Sequence, residues 1–140
     1  MSERDLGRKH ELHGVQPVLP TADVAATAAW FRDVLGFDLE FLEPGPPAHA
    51  RVMKGDGSYG APIYIHLSES PAEEVRPSGE LRIHVGKDPD GLYAAYVARG
   101  VEVIFEPVWQ PWGLREFAIR ERNGHVLRFC GYPLDEPGSS

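Results

Sequence analysis

Residues 36–44 read Gly-Phe-Asp-Leu-Glu-Phe-Leu-Glu-Pro, and residues 100–107 read Gly-Val-Glu-Val-Ile-Phe-Glu-Pro. Each stretch is a glycine, an alternating run of strand type and a closing Glu-Pro. Each follows an apolar run containing several alanines, with Asp23 ahead of Val24–Leu35 and Asp90 opening Asp90–Arg99. In the first run Ala28, Phe31 and Leu35 recur at helical spacing, and Thr21-Ala-Asp23 supplies an N-cap signal. Gly36 and Gly100 then stop the two helices, because glycine reaches the left-handed conformation that ends a helix at little cost. The chain thus repeats itself, and an internal repeat dictates architecture.

The repeat extends outward from these stretches. Val15–Leu19 reads as a strand before the first helix, and His49–Met53 and Ala61–Leu67 as two strands after it, joined by the loop Lys54–Gly60. The second half offers Leu81–Val85, then its helix, then Val101–Phe105, Leu114–Ile119 and His125–Cys130, with Asn123-Gly124 as a hairpin signal. Each half is βαβββ, and neither buries its sheet alone. The expectation is an α+β fold. Two βαβββ modules, about 13–68 and 80–132, form a curved mixed sheet with a concave cleft and helices on the convex side. Residues 1–12 read as a charged arm, Ser68–Gly79 as a linker and 133–140 as a loose tail.

Bulk properties narrow the function classes. The 140 residues carry a net charge of −7, which argues against a nucleic-acid or anionic-membrane partner and suits a cationic ligand. The lone cysteine, Cys130, excludes an intramolecular disulfide and a paired-cysteine zinc site, and its apolar setting reads as a buried, inert thiol. The start MSERDLGRKHELH has no apolar core of the signal-peptide kind, and no apolar run reaches the roughly 20 residues of a membrane span. The expected location is cytoplasmic. No Ser-His-Asp pattern, P-loop or GxGxxG supports a hydrolase, kinase or dinucleotide enzyme.

Strand alternation assigns faces. Val15, Pro17 and Leu19 oppose Gln16 and Val18. Ile63, Ile65 and Leu67 oppose Tyr64 and His66. Leu81, Ile83 and Val85 oppose Arg82 and His84. Phe117 and Ile119 oppose Glu116 and Ala118, while Leu127 and Phe129 oppose Val126, Arg128 and Cys130. The apolar faces should meet the helices. The mixed faces bring Gln16, Tyr64, His66, Arg82, His84, Glu116 and Arg128 to the cleft, although a polar strand face is ordinarily just solvated. Trp109 and Trp112 could add aromatic walls, against the plainer reading of core or interface packing. Trp30 reads as packing, and His10, His13, His49 and His125 as surface residues. Glu116 and Arg128 read first as a structural ion pair. Their alternative role is a cofactor-free site, with Glu116 as general base and Arg128 holding an anionic substrate.

Gln16-Pro-Val-Leu-Pro-Thr-Ala-Asp23 followed by Trp30-Phe-Arg-Asp-Val-Leu-Gly-Phe37 resembles the opening of the glyoxalase/bleomycin-resistance/extradiol-dioxygenase (vicinal oxygen chelate) superfamily. Gln110-Pro-Trp-Gly-Leu-Arg-Glu-Phe-Ala-Ile-Arg120 is similar to a segment of its bleomycin-resistance branch, with Leu114 as a one-residue insertion. Glu121-Arg-Asn-Gly124 stands where the family usually has Asp-Pro-Asp-Gly. The resemblance covers about 13–132. It implies a homodimer, with exchange of N-terminal strands as an option, and a protein that sequesters a cationic or aromatic drug-like ligand without chemistry.

For the superfamily's metalloenzymes the resemblance implies one ligand on the first and one on the last strand of each half. Those positions here are Gln16, His66, a residue near Glu80–Arg82 (His84 if the register slips) and Arg128. Arginine stays protonated and has no lone pair for a metal. At about 4 Å, a unit charge repels a divalent ion by several kcal/mol even at an effective dielectric near 20. The favoured reading is therefore ligand binding with no cofactor. The alternative is a metal-dependent lyase, isomerase or dioxygenase holding one divalent ion on Gln16, His66 and His84.

Overall fold

The structure, a computed structural model, describes residues 14–55, 62–77 and 79–132. The expected arm with His10 and His13, most of the loop after Lys54, and the tail 133–140 lie outside the described residues.

In chain order the elements are β1 (Val18–Thr21), α1 (Val24–Asp33), β2 (Asp38–Leu42), β3 (His49–Lys54), β4 (Ile63–Glu69), a 3-10 turn at Ala72–Glu74, β5 (Glu80–Val85), α2 (Pro89–Ala98), β6 (Glu102–Trp109), β7 (Arg115–Arg120) and β8 (Val126–Gly131). Each half is βαβββ, as the repeat requires. The curved sheet is divided into two four-stranded mixed sheets, ordered β1-β4-β3-β2 and β5-β8-β7-β6. In each the first strand runs parallel to the last and the other pairings are antiparallel.

Local chemistry sets the helix ends. Asp23 accepts from the Ala26 amide at 2.9 Å, and the Glu69 carboxylate at the end of β4 accepts from the Val24 amide at 2.9 Å. Two otherwise unpaired amides at the start of α1 are thereby satisfied. Asp88 does the same for α2 through Gly91, with Pro89 in the first turn, where its missing N–H costs nothing. Gly36 (φ 76°) and Gly100 (φ 82°) take the left-handed turns that release the chain into β2 and β6.

Val24, Ala28 and Phe31 form one stripe of α1, buried with Leu35 just beyond its end and with Ala50, Val52, Ile65 and Leu67. In the second half Tyr96 of α2 meets Phe117 and Phe129 edge-on, and those two rings stack 5.0 Å apart. Full burial of such a side chain contributes about 1.5–3 kcal/mol. Trp30 packs edge-on to Phe31, as expected.

The modules hold each other through polar contacts. Tyr96 Oη donates to the Leu35 carbonyl at 3.2 Å. Asn123, in the β7–β8 turn, accepts from the Ala22 amide at 3.0 Å and donates to Thr27 Oγ1 at 3.1 Å. His125 Nε2 donates to the Pro20 carbonyl at 2.8 Å, and the residue is 6% exposed. The surface reading of His125 is thus corrected: its neighbouring turn is itself packed against the other module.

The first strand begins later than alternation suggested, at Val18, so Gln16 precedes it and Val15 is 94% exposed. The strand pairs with β4, from Val18↔His66 to Thr21↔Glu69. Among the described residues no helix is long and apolar enough to cross a membrane.

Candidate ligand site

β1 and β5 are the outer strands of their sheets. Beside them lies a cavity of about 920 Å³, lined among others by Gln16, Tyr64, Arg82 and His84. Its apolar wall comes from Val15, Pro17, Ile63, Ile65, Leu81 and Ile83. Four of the sequence-derived candidates, from three separate segments, therefore border one space. Its size is that of ligand pockets in general, roughly 300–1,000 Å³.

From Gln16 a hydrogen-bonded chain runs into the first module. His66 Nε2 meets Gln16 Oε1 at 2.6 Å, and His66 Nδ1 meets His49 Nε2 at 2.9 Å. The amide oxygen can only accept, so His66 donates to Gln16 and receives from His49. Burial, with the charges of His49 and Arg51, holds the His66 imidazole below its usual range against the pull of Glu40. A neutral ring is what this chain of donors requires. Arg51 pairs with Glu40 at 2.5 Å and lies over the Tyr64 ring at 4.9 Å. Glu40, Phe41, His49, Arg51 and His66 line a smaller recess of about 400 Å³. His49 belongs to this cluster and is half-buried, which corrects its reading as a surface residue. The signal was present in the alternation of His49, Arg51 and Met53 along β3, opposite Ala50 and Val52.

On the second-module side Glu116 is fully buried. One carboxylate oxygen accepts from Arg128 at 2.6 Å, and the other accepts from Arg82 at 3.0 Å and from the Trp112 indole N–H at 2.7 Å. Burial pushes the Glu116 carboxyl up, but the Trp112 and Arg128 hydrogen bonds and the two guanidinium charges outweigh it. The net effect holds the group below the usual carboxylate range. Arg128 also lies over the Phe105 ring at 5.2 Å, and Trp112 is 57% exposed. The structural ion pair of Glu116 and Arg128 is present. A carboxylate so stabilised as the anion is poorly placed to be a general base. Cys130, beside it in β8, is buried, and burial pushes its thiol up.

Arg82 joins the two regions, since it borders the cavity and bonds Glu116. Trp109 does not join them. It pairs in register with Arg115, whose guanidinium lies 5.7 Å from the Trp109 ring and binds Asp90 of α2. It therefore stands on the helix side, and its reading as a wall beside Trp112 is corrected. Register shifts between Val103 and Phe105 and between Phe105 and Val108 break the alternation of β6, so parity along this strand is no guide.

Residues 13–129 match the model of the Glyoxalase/Bleomycin resistance protein/Dioxygenase superfamily. Similar solved structures include the bleomycin-binding protein of bleomycin-producing Streptomyces verticillus, complexed with copper(II)-bleomycin. It is 30% identical, with a TM-score of 0.65, over 89% of this chain and 98% of that one. TioX from Micromonospora sp. ML1 is 22% identical, with a TM-score of 0.64, over 86% and 99%. The bleomycin resistance determinant encoded on transposon Tn5 is 21% identical, with a TM-score of 0.64, over 88% and 100%. No curated protein matches the chain in sequence. With a family match over 13–129 and the paired βαβββ modules in place, the chain belongs to the glyoxalase/bleomycin-resistance/dioxygenase superfamily.

Proposed function

We propose that this protein binds and sequesters an aromatic, drug-like small molecule without transforming it. The carrying observation is the state of Glu116: buried, held by three donors and committed to Arg82, Arg128 and Trp112. The buried carboxylate is used to fix the two guanidiniums and the indole in place. Trp112 shares a Glu116 oxygen with Arg82, which borders the cavity, and its exposed indole offers a fixed aromatic face suited to stacking. The bleomycin-binding relative at 30% identity supports the same reading.

A divalent metal fits the residues poorly. Gln16 and His66 are bonded to each other, and the corner corresponding to a fourth ligand is the Arg128 guanidinium, fixed on Glu116. Binding in this reading is the work of the protein's own side chains.

The working unit in this reading is a homodimer in which a second copy covers the open edges of β1 and β5, so that each cavity is lined by both chains. Val18, 56% exposed, would be covered by it.

Tryptophan-fluorescence titration with bleomycin and other planar drugs tests the binding. Saturable quenching is expected, and Trp112→Ala should weaken it about tenfold with the fold intact. Elemental analysis runs alongside, before and after loading with nickel, iron, manganese and zinc. One metal held per site would replace this reading with a metalloenzyme.

A further inference from the structure

The net charge of −7 points to a cationic ligand, but the one arginine or carboxylate side chain among the described residues lining the cavity, Arg82, points the other way. Arg82 is 41% exposed and lines it. Its Nη2 is committed to Glu116, while Nη1 reaches Glu80 at 3.6 Å. Among the described residues its Nε has no partner. Arg128 reaches the same Glu80 oxygen at 3.5 Å. Two guanidiniums thus share one buried carboxylate, which cannot leave, and one partly exposed carboxylate at the first residue of β5, which can. His84, next but one along β5, lines the same cavity.

Resting on the binding-protein reading above, we propose that the cavity takes an anionic ligand, a small molecule carrying a carboxylate on an apolar body. The carboxylate displaces Glu80 and accepts from Arg82, and the body lies against Val15, Pro17, Ile63 and Leu81. Glu116 is the reason Arg82 stays aimed at the cavity. Glu80 acts as a stand-in anion, which neutralises the guanidinium pair while the site is empty. Its contacts at 3.5–3.6 Å are long for ion pairs and partly exposed, so displacing them costs little. A carboxylate in charge-assisted contact with Arg82 gains more than it displaces.

Isothermal titration with a size-matched, oppositely charged pair of probes, 2-naphthoate and 2-naphthylmethylammonium, tests the proposal. The wild-type protein should bind the naphthoate more tightly. Glu80→Gln should tighten naphthoate about two- to fivefold, the gain from removing an exposed competing anion. Arg82→Gln should weaken it about tenfold or more, the loss of one charge-assisted hydrogen bond, with its thermal unfolding checked beside it. Glu80→Gln carries the test alone if Arg82→Gln does not fold. Preferred binding of the ammonium probe, or naphthoate affinity unchanged or weakened in Glu80→Gln, would overturn the anionic ligand and leave the binding-protein reading standing. If neither probe bound at millimolar concentration the anionic ligand would fall, and the binding-protein reading would fall with it only if bleomycin and the other planar drugs also failed to quench the tryptophans.

Discussion

The two modules place different chemistry on the same backbone positions. In the first, His49 of β3 lies opposite Ser68 and Arg51 opposite His66. In the second, Glu116 of β7 lies opposite Cys130 and Ala118 opposite Arg128. His49 therefore corresponds to Glu116, and His66 to Arg128. One module fills these positions with two imidazoles 2.9 Å apart, the other with a carboxylate and a guanidinium 2.6 Å apart. The residue between differs as well. Arg51 reaches across to Glu40 and Tyr64, whereas Ala118 is flanked by Phe105 and leaves room for Arg128 to lie over that ring. The duplicated fold supplies one frame, and the side chains make one wall neutral and titratable and the other permanently charged.

The helices carry the same comparison into the core, and there the largest effect is expected. Phe31 and Tyr96 are each the eighth residue of their helices. Phe31 only packs, while Tyr96 also bonds the Leu35 carbonyl of the other module. Burial pushes its phenol up to about 12, so the hydroxyl remains a donor across the working pH range. Tyr96→Ala should cost about 3–5 kcal/mol by cavity formation, and Tyr96→Phe about 1 kcal/mol for the hydrogen bond alone. Urea denaturation measures both. A Tyr96→Phe variant as stable as wild type would mean the link between modules is carried by Asn123 and His125 instead.

Next in size comes the paired contrast between Glu116 and His49. Glu116→Ala leaves Arg128 and Arg82 facing each other with Glu80 as their remaining carboxylate. Breaking a fully enclosed ion pair costs about 3–5 kcal/mol; with Arg82 41% exposed, about 2–3 kcal/mol is expected here. His49→Ala removes one neutral hydrogen bond from a half-buried chain and should cost about 0.5–1 kcal/mol. Chemical denaturation of the two variants, with the Trp112 emission recorded for Glu116→Ala, gives the ratio. Equal costs would show that the two walls, despite their different chemistry, contribute alike.

Much of this was legible in the sequence because it rests on local signals. Asp23 and Gly36 bracket α1, and Asn123-Gly124 makes the β7–β8 turn, since capping and left-handed turns are properties of a few neighbouring residues. The faces of β4, β5, β7 and β8 followed from alternation, but the cavity did not: Ile63, Ile65, Leu81 and Ile83 line it beside Tyr64, Arg82 and His84, because it lies at the strand edges, where both faces meet it. What alternation could not supply was long-range or irregular. His125 and Asn123 face the other module from about a hundred residues away, which no window detects. Trp109 lies beyond two register shifts in β6. The His49–His66 pair depends on the register of β3 against β4, a property of neither strand alone.

The smallest effect separates the two walls by pH. His66 is held below 6.5, its ordinary value, so the unfolded chain binds its proton more readily than the folded one. Its contribution to stability is then fully present above pH 6.5 and is lost as pH falls towards the folded value. Glu116 is held below its ordinary 4.5, so its contribution is present above pH 4.5 and is lost only under stronger acid. Lowering the pH from 7.5 to 5 should therefore weaken the first wall and leave the second intact. Urea midpoints across that range should fall in the wild type and fall less in His66→Gln, which keeps a hydrogen-bonding side chain but has no titrating group. The emission of Trp112, tied to Glu116, should stay constant until the pH passes below 4.5. If it shifted together with the His66 step, the two walls would be coupled through Arg82 and the cavity rather than independent, and the contrast between the modules would hold for their residues but not for their response to acid.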